Sequence, residues 1–107
     1  MTLDRAPGVP QDGARQLTLA DFETLIGASF DIETEFGPQQ LFLSQVQELP
    51  NAERAGGGFR LEFTGPRDPR LPQSIYTFPV DGILHDIFIV PIGFAPEGGI
   101  RYEAVFF

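Results

Sequence analysis

The sequence predicts an all-β domain with one short N-terminal helix, built as a small antiparallel six-stranded barrel or a two-sheet roll. Alternation of apolar and polar residues recurs along the chain, which is typical of half-buried strands. Twelve glycines and 10 prolines punctuate the 107 residues, and 11 phenylalanines could supply a core. The short connections between these segments favour antiparallel pairing. A chain of this length needs no disulfide, in keeping with its lack of cysteine.

The chain is expected to divide into an N-terminal arm and a single domain. Residues 1–16 show no hydrophobic periodicity, so we expect a flexible arm. Residues 17–107 are expected to form one β-barrel-like domain.

A short helix is predicted where the domain begins. Thr18 is the candidate N-cap, and Asp21 three residues later completes a shortened capping box. Gly27 is the expected stop. The predicted apolar face consists of Leu19, Phe22, Leu25 and Ile26. A helix this short must cover one end or one face of the sheet.

Alternating segments predict the first strands. Residues 30–36 form one such segment, with Phe30, Ile32 and Phe36 expected to face inwards. Gly37 and Pro38 should then turn the chain, and the pattern after Leu43 predicts a bulge near Ser44 and Gln45. A polar loop at residues 51–58 precedes the next strand, at 59–63.

Residues 74–93 are predicted to be a β-hairpin at the centre of the fold. Asp81 and Gly82 suit a two-residue type I′ turn, which needs positive φ at both positions. The second arm is apolar on both faces from residue 87 to 92, so we expect it to be buried on both sides. The last strand, residues 100–107, has one inward face, comprising Ile100, Tyr102, Ala104 and Phe106.

Charge and motifs argue against several function classes. The formal net charge is −8, and no basic patch is visible, so we expect neither nucleic-acid binding nor docking on an anionic membrane. No catalytic, cofactor-binding or metal-binding motif appears, and we therefore predict no enzyme. His85 is expected at the surface or rim, and Asp86 near the exposed turn. Adjacent strand residues point to opposite faces, so these two cannot form a dyad.

Two places are candidate partner-binding sites. The first is the loop where basic residues gather in an acidic chain, with Arg67, Asp68, Arg70 and Leu71. The second is the end of the last strand, where Val105 and Phe107 fall on the face that Arg101 marks as exposed. Either the helix covers these two side chains, or a partner or second copy does.

Several stretches resemble an uncharacterised bacterial domain family across about residues 17 to 107. They are Leu17-Thr18 with Asp21-Phe22 and Gly27, Leu71-Pro72-Gln73 with Tyr76, Phe88-Ile-Val-Pro-Ile-Gly93, and Arg101-Tyr-Glu-Ala-Val-Phe106. Some members are similar in genomic setting to companions of phage-tail-collar-like proteins. The family carries no established activity, so the resemblance implies no site residue.

Three functions therefore stand as hypotheses. The first is a non-enzymatic assembly or adaptor module, of a phage-tail-like or surface-fibre system, that binds a protein partner or itself. The second is a small apolar-ligand-binding β-barrel, which is ranked lower because six strands leave an interior that side chains fill. The third is an enzyme of unrecognised type, for which His85 and Asp86 are the candidates. No signal peptide or membrane span is visible, so we expect a cytoplasmic location, or an extracellular one within a larger assembly.

Overall fold

A computed structural model describes residues 16–50 and 57–107 of the chain. The predicted arm, apart from Gln16, lies outside the described residues, as do residues 51–56 of the polar loop. The elements are α1 (Leu19–Glu23), β1 (Ser29–Thr34), β2 (Gly37–Leu49), β3 (Gly58–Gly65), β4 (Ser74–Val80), β5 (Ile83–Phe94) and β6 (Ile100–Phe106).

The six strands form one antiparallel sheet in the order β1-β2-β3-β6-β5-β4. The two strands at the ends of this order, β1 and β4, pack against each other, so the sheet curls into a nearly closed barrel. The all-β prediction is confirmed, and the structure favours the barrel over the two-sheet roll.

Inward-facing side chains fill the barrel. Phe63 lies at the centre of an aromatic cluster, with its ring centroid 5.9 Å from that of Phe30 and 5.0 Å from that of Phe78. The largest fully buried side chains are Tyr102, Phe22, Phe59, Phe63, Phe78, Leu41, Leu43, Leu61, Leu71, Ile87, Ile89 and Val80. All six described strands contribute to the core, β1 through the buried side chains of Phe30 and Ile32.

The predicted helix is present and short. The backbone N–H of Thr18 donates to the Asp21 carboxylate at 2.7 Å, as expected for a capping box. Phe22 is fully buried and packs against Phe59 and Phe106, at the paired ends of β3 and β6. The prediction for Ile26 is wrong: its side chain is 56% exposed, because α1 ends at Glu23, before the turn that would carry it inwards.

The hairpin turn and the bulge are both confirmed. Asp81 and Gly82 have φ of 52° and 79°, the left-handed pair that a type I′ turn requires. The register of β2 against β3 shifts between Leu43 and Gln45, where the bulge was predicted.

The first hairpin turns earlier than predicted. Thr34 pairs with Gly37, so the turn consists of Glu35 and Phe36, and Gly37 already belongs to β2. The Thr34 hydroxyl donates to the Gly37 carbonyl and accepts from the Phe36 N–H, which stabilises this tight loop. The inward placement of Phe36 is therefore wrong, and its side chain is 50% exposed.

Two predictions about β5 are also wrong. This strand forms part of the barrel wall, so only one of its faces is buried, and Phe88 on the other face is 50% exposed. His85 is not a rim residue. It lies on the inward face opposite Phe78, and it is buried with 7% exposed.

Candidate partner-binding surfaces

The loop between β3 and β4 holds the first candidate site. Arg67, Asp68 and Arg70 are all exposed, as their prediction requires. The guanidinium of Arg67 lies over the ring of Phe94, 5.4 Å from its centroid, a cation–π contact that places this cation beside the end of β5. Leu71 differs from the other three, because it is a core residue with 1% exposed.

Two tyrosines hold the end of this loop. The backbone N–H of Leu71 donates to the hydroxyl of Tyr102 at 2.9 Å, and the hydroxyl of Tyr76 donates to the carbonyl of Pro72 at 2.8 Å. Burial raises the pKa of both tyrosines, so both hydroxyls keep their protons at neutral pH. The backbone of residues 71–72 is thereby fixed to the barrel.

An open groove of about 520 Å³ runs beside this anchored segment. Its lining residues are Glu35, Phe36, Arg70, Leu71, Pro72, Gln73, Val90 and Pro91. The groove starts where β4 begins. Ser74, the first residue of β4, pairs with Ile89, and the β5 residues that follow Ile89 lie beside the β3–β4 loop instead of a strand. Arg70 and Glu35 are its two charged lining residues, and the rest of the lining is mostly apolar.

The outward face of the β4–β5 hairpin is a second surface, which we call the hairpin face. It consists of Ile75, Thr77, Leu84, Asp86 and Phe88. Ile75 pairs with Phe88, and the two side chains are 61% and 50% exposed. Leu84, nearer the turn, is 67% exposed. Between Leu84 and the Ile75–Phe88 pair, the Thr77 hydroxyl donates to the Asp86 carboxylate at 2.7 Å. This hydrogen bond orients the carboxylate, which therefore lies among exposed apolar side chains.

The end of β6 holds the other candidate site predicted from the sequence. Val105 is 53% exposed and Phe107 is 67% exposed, so the helix does not cover them, and that alternative is wrong. The helix instead packs on Phe106 between them. The register of β5 against β6 ends at the pair Val90–Glu103, so Phe88 and Val105 both lie beyond the paired part of these two strands.

The remaining described arginines belong to an ion-pair network on the outer face of β3 and β6. Arg101 donates two hydrogen bonds to the Glu62 carboxylate, at 2.7 and 3.0 Å, and Arg60 adds a third at 3.2 Å. Arg60 also donates to Glu103 at 2.7 Å. The bond from Arg101 is the main cause of the lowered pKa of Glu62, which is only 8% exposed. The charges of this network are paired with one another. In contrast, Arg67 and Arg70 make no ion pair with any described residue.

The described residues contain no cluster of three or more histidine or acidic side chains that could hold a metal ion. His85 points into the barrel and Asp86 points out, so the two do not form a dyad. The described parts of the chain also hold no helix with the length and apolarity that crossing a bilayer takes.

Reasoning from the sequence missed the hairpin face. The signal was present in the parity of β4: an apolar Ile75 falls on the same face as the polar Thr77, opposite the inward Tyr76 and Phe78. Extending that parity across the turn would have placed Leu84 and Phe88 outside as well.

Comparison with known proteins identifies a family and no nearer relative. No curated protein and no solved structure matches the chain significantly. Residues 17–106, which include all six strands and the helix, match the family described as Domain of unknown function (DUF6916). The protein therefore belongs to this family of small, uncharacterised domains.

Proposed function

We propose that the protein is a non-enzymatic assembly or adaptor module that binds a protein partner through the hairpin face. The observation that carries this proposal is the exposure of Ile75, Leu84 and Phe88, each at least half exposed on one two-stranded ribbon. Ile75 and Phe88 are direct cross-strand neighbours, and exposed apolar surface of this kind commonly marks an interaction site. Full burial of such a side chain contributes about 1.5–3 kcal/mol relative to full exposure, so the part of each that is still exposed offers about 1–2 kcal/mol to an interface.

The rigidity of the surface supports the same proposal. The hairpin face lies on paired strands whose inward residues, Tyr76, Phe78, Ile87 and Ile89, belong to the core. Its shape is therefore set before binding, which lowers the entropic cost of association.

The alternative, a small apolar-ligand-binding barrel, has less support. Packed aromatic and aliphatic side chains occupy the inward positions, and the groove at Arg70 is open and of mixed polarity. A role in a phage-tail-like or surface-fibre assembly is proposed on the family resemblance alone, as is a bacterial source. Within that proposal the module acts in the cytoplasm or outside the cell as part of the assembly. The net charge of −8 favours a protein over a nucleic acid as the partner.

Site-specific photo-cross-linking in cells of the source organism tests the proposal. A photoreactive phenylalanine analogue replaces Phe88 in one variant and Phe42 in a matched control. Phe42 is 46% exposed on the outer face of β2. We expect a discrete cross-linked protein from position 88 and none from position 42. Equal cross-linking at both positions, or none from position 88, would refute partner binding by the hairpin face.

A further inference from the structure

We infer that the partner of the hairpin face is a second copy of this chain, arranged as an antiparallel two-fold dimer. In this dimer the guanidinium of Arg70 in each copy meets the carboxylate of Asp86 in the other. The inference rests on the proposed function for its choice of surface and adds the identity of the partner.

The first step is the order of chemical groups along β5. Outward residues of a strand follow one another at about 6.6–6.8 Å, which gives the sequence Leu84, Asp86, Phe88 and Val90. Val90 lines the groove together with Arg70. Along the strand, the anionic Asp86 thus lies on one side of Phe88 and the cationic Arg70 on the other. The cross-strand neighbour Ile75 enlarges the apolar surface at Phe88.

The second step is symmetry. A two-fold interface is self-complementary, so residue i of one copy contacts residue j of the other and the reverse contact follows. An axis passing near the Ile75–Phe88 pair stacks these apolar side chains on their own copies. The same axis brings Asp86 of each copy towards Arg70 of the other. A parallel arrangement would instead place Asp86 against Asp86, which like-charge repulsion disfavours.

The third step is the availability of the two charges. Arg70 makes no hydrogen bond or ion pair with any described residue, unlike Arg60 and Arg101. Asp86 accepts the Thr77 hydroxyl on Oδ1 only, which leaves Oδ2 to accept from a partner. Charge-assisted contacts of this kind between guanidinium and carboxylate are the stronger class of hydrogen bond.

The fourth step is the overall charge. Two copies of a chain with a net charge of −8 repel each other, so self-association requires local complementarity. Asp68 in the loop and Glu35 in the groove add anions at the same end, and Arg67 offsets one of them. The pairing therefore depends on the position of Arg70 rather than on a basic patch.

Charge reversal with rescue tests the dimer. Sedimentation velocity across a concentration series measures the dissociation constant of the wild type, of R70D, of D86R and of the double variant R70D/D86R. We expect a wild-type dimer, a dissociation constant at least tenfold weaker in each single variant, and recovery in the double variant. A residue with a merely structural role would not give this recovery. F88D should also be monomeric, since it places a carboxylate at the axis.

The matched control for D86R is D31R, which makes the same charge change at an exposed strand aspartate that accepts a hydrogen bond from Gln40 on the neighbouring strand. It should leave the dissociation constant unchanged. A wild type that is monomeric at millimolar concentration overturns the inference, as does a dimer that R70D and D86R leave intact. A monomer whose position 88 still cross-links to another protein overturns self-docking and leaves the proposed function standing.

Discussion

The backbone N–H of Leu71 donates a 2.9 Å hydrogen bond to the buried hydroxyl of Tyr102, and this contact joins the loop that carries Arg70 to the interior of the barrel. Tyr102 belongs to β6, so the contact spans 31 residues of sequence. The position of Arg70, and with it the proposed pairing with Asp86, depends on this anchor.

Replacing Tyr102 by phenylalanine should destabilise the protein by about 1–3 kcal/mol. The ring still fills its place in the core, but the N–H of Leu71 loses its partner in a buried site. Urea unfolding followed by circular dichroism measures the loss. Y76F is the matched control: it leaves a carbonyl at Pro72 that solvent can reach, because Pro72 is exposed, and should cost less. Equal losses would mean that the Leu71 contact has no special importance.

Acid should weaken the fold through Glu62. Its pKa is lowered in the folded state, chiefly by the hydrogen bond from Arg101, whereas the pKa of a glutamate in an unfolded chain is about 4.3. The unfolded state therefore takes up the proton first as the pH falls. The stabilisation is fully present well above that value and is lost as the pH falls through the lower, folded pKa.

The variant E62Q isolates this contribution. The difference in unfolding free energy between wild type and E62Q should be largest at pH 7 and should shrink towards pH 3. Denaturant unfolding at a series of pH values measures it. E33Q, which removes a carboxylate at an exposed position on β1, is the matched control for the substitution itself. A difference that stays constant with pH would show that Glu62 stabilises the fold by packing alone.

Of the last three side chains, we expect one to stabilise the fold and the other two to lie at the surface. Phe106 stacks on Phe59, with ring centroids 4.5 Å apart, and also contacts Phe22. F106A should therefore cost about 2–3 kcal/mol, somewhat less than for a fully buried phenylalanine. F107A should change the unfolding free energy by less than about 0.5 kcal/mol, because Phe107 is 67% exposed. Thermal unfolding of both variants, and of a chain ending at Ala104, measures these changes in stability. A destabilised F107A would contradict the assignment.

Local patterns predicted most of the fold. The capping box at Thr18, the turn at Asp81 and Gly82, and the bulge after Leu43 each depend on a few adjacent residues. Their backbone geometry is therefore readable from the sequence.

Three of the errors arose where an apolar residue was assumed to be buried. Phe36, Ile26 and Phe88 are all large and apolar, yet each is at least half exposed. Phe36 occupies a turn, Ile26 follows the end of a helix, and Phe88 faces outwards from a one-layer barrel wall. Hydrophobicity alone does not distinguish a side chain that packs inside the molecule from one that is left for a partner. The groove could not be foreseen either, because it joins the first turn, the β3–β4 loop and β5, which are far apart in sequence.

The turn at Gly82 should control both stability and the hairpin face. Gly82 has a φ of +79°, where an alanine pays about 1–2 kcal/mol for the close approach of its Cβ to the backbone. G82A should lower the unfolding free energy by that amount. D81N is the control, because asparagine tolerates the φ of 52° at this position, and it should stay within about 0.5 kcal/mol of wild type.

The turn also sets the register that places Ile75 opposite Phe88. Any loosening of the hairpin by G82A should therefore weaken cross-linking from position 88 as well. A G82A variant with unchanged stability would contradict the type I′ turn.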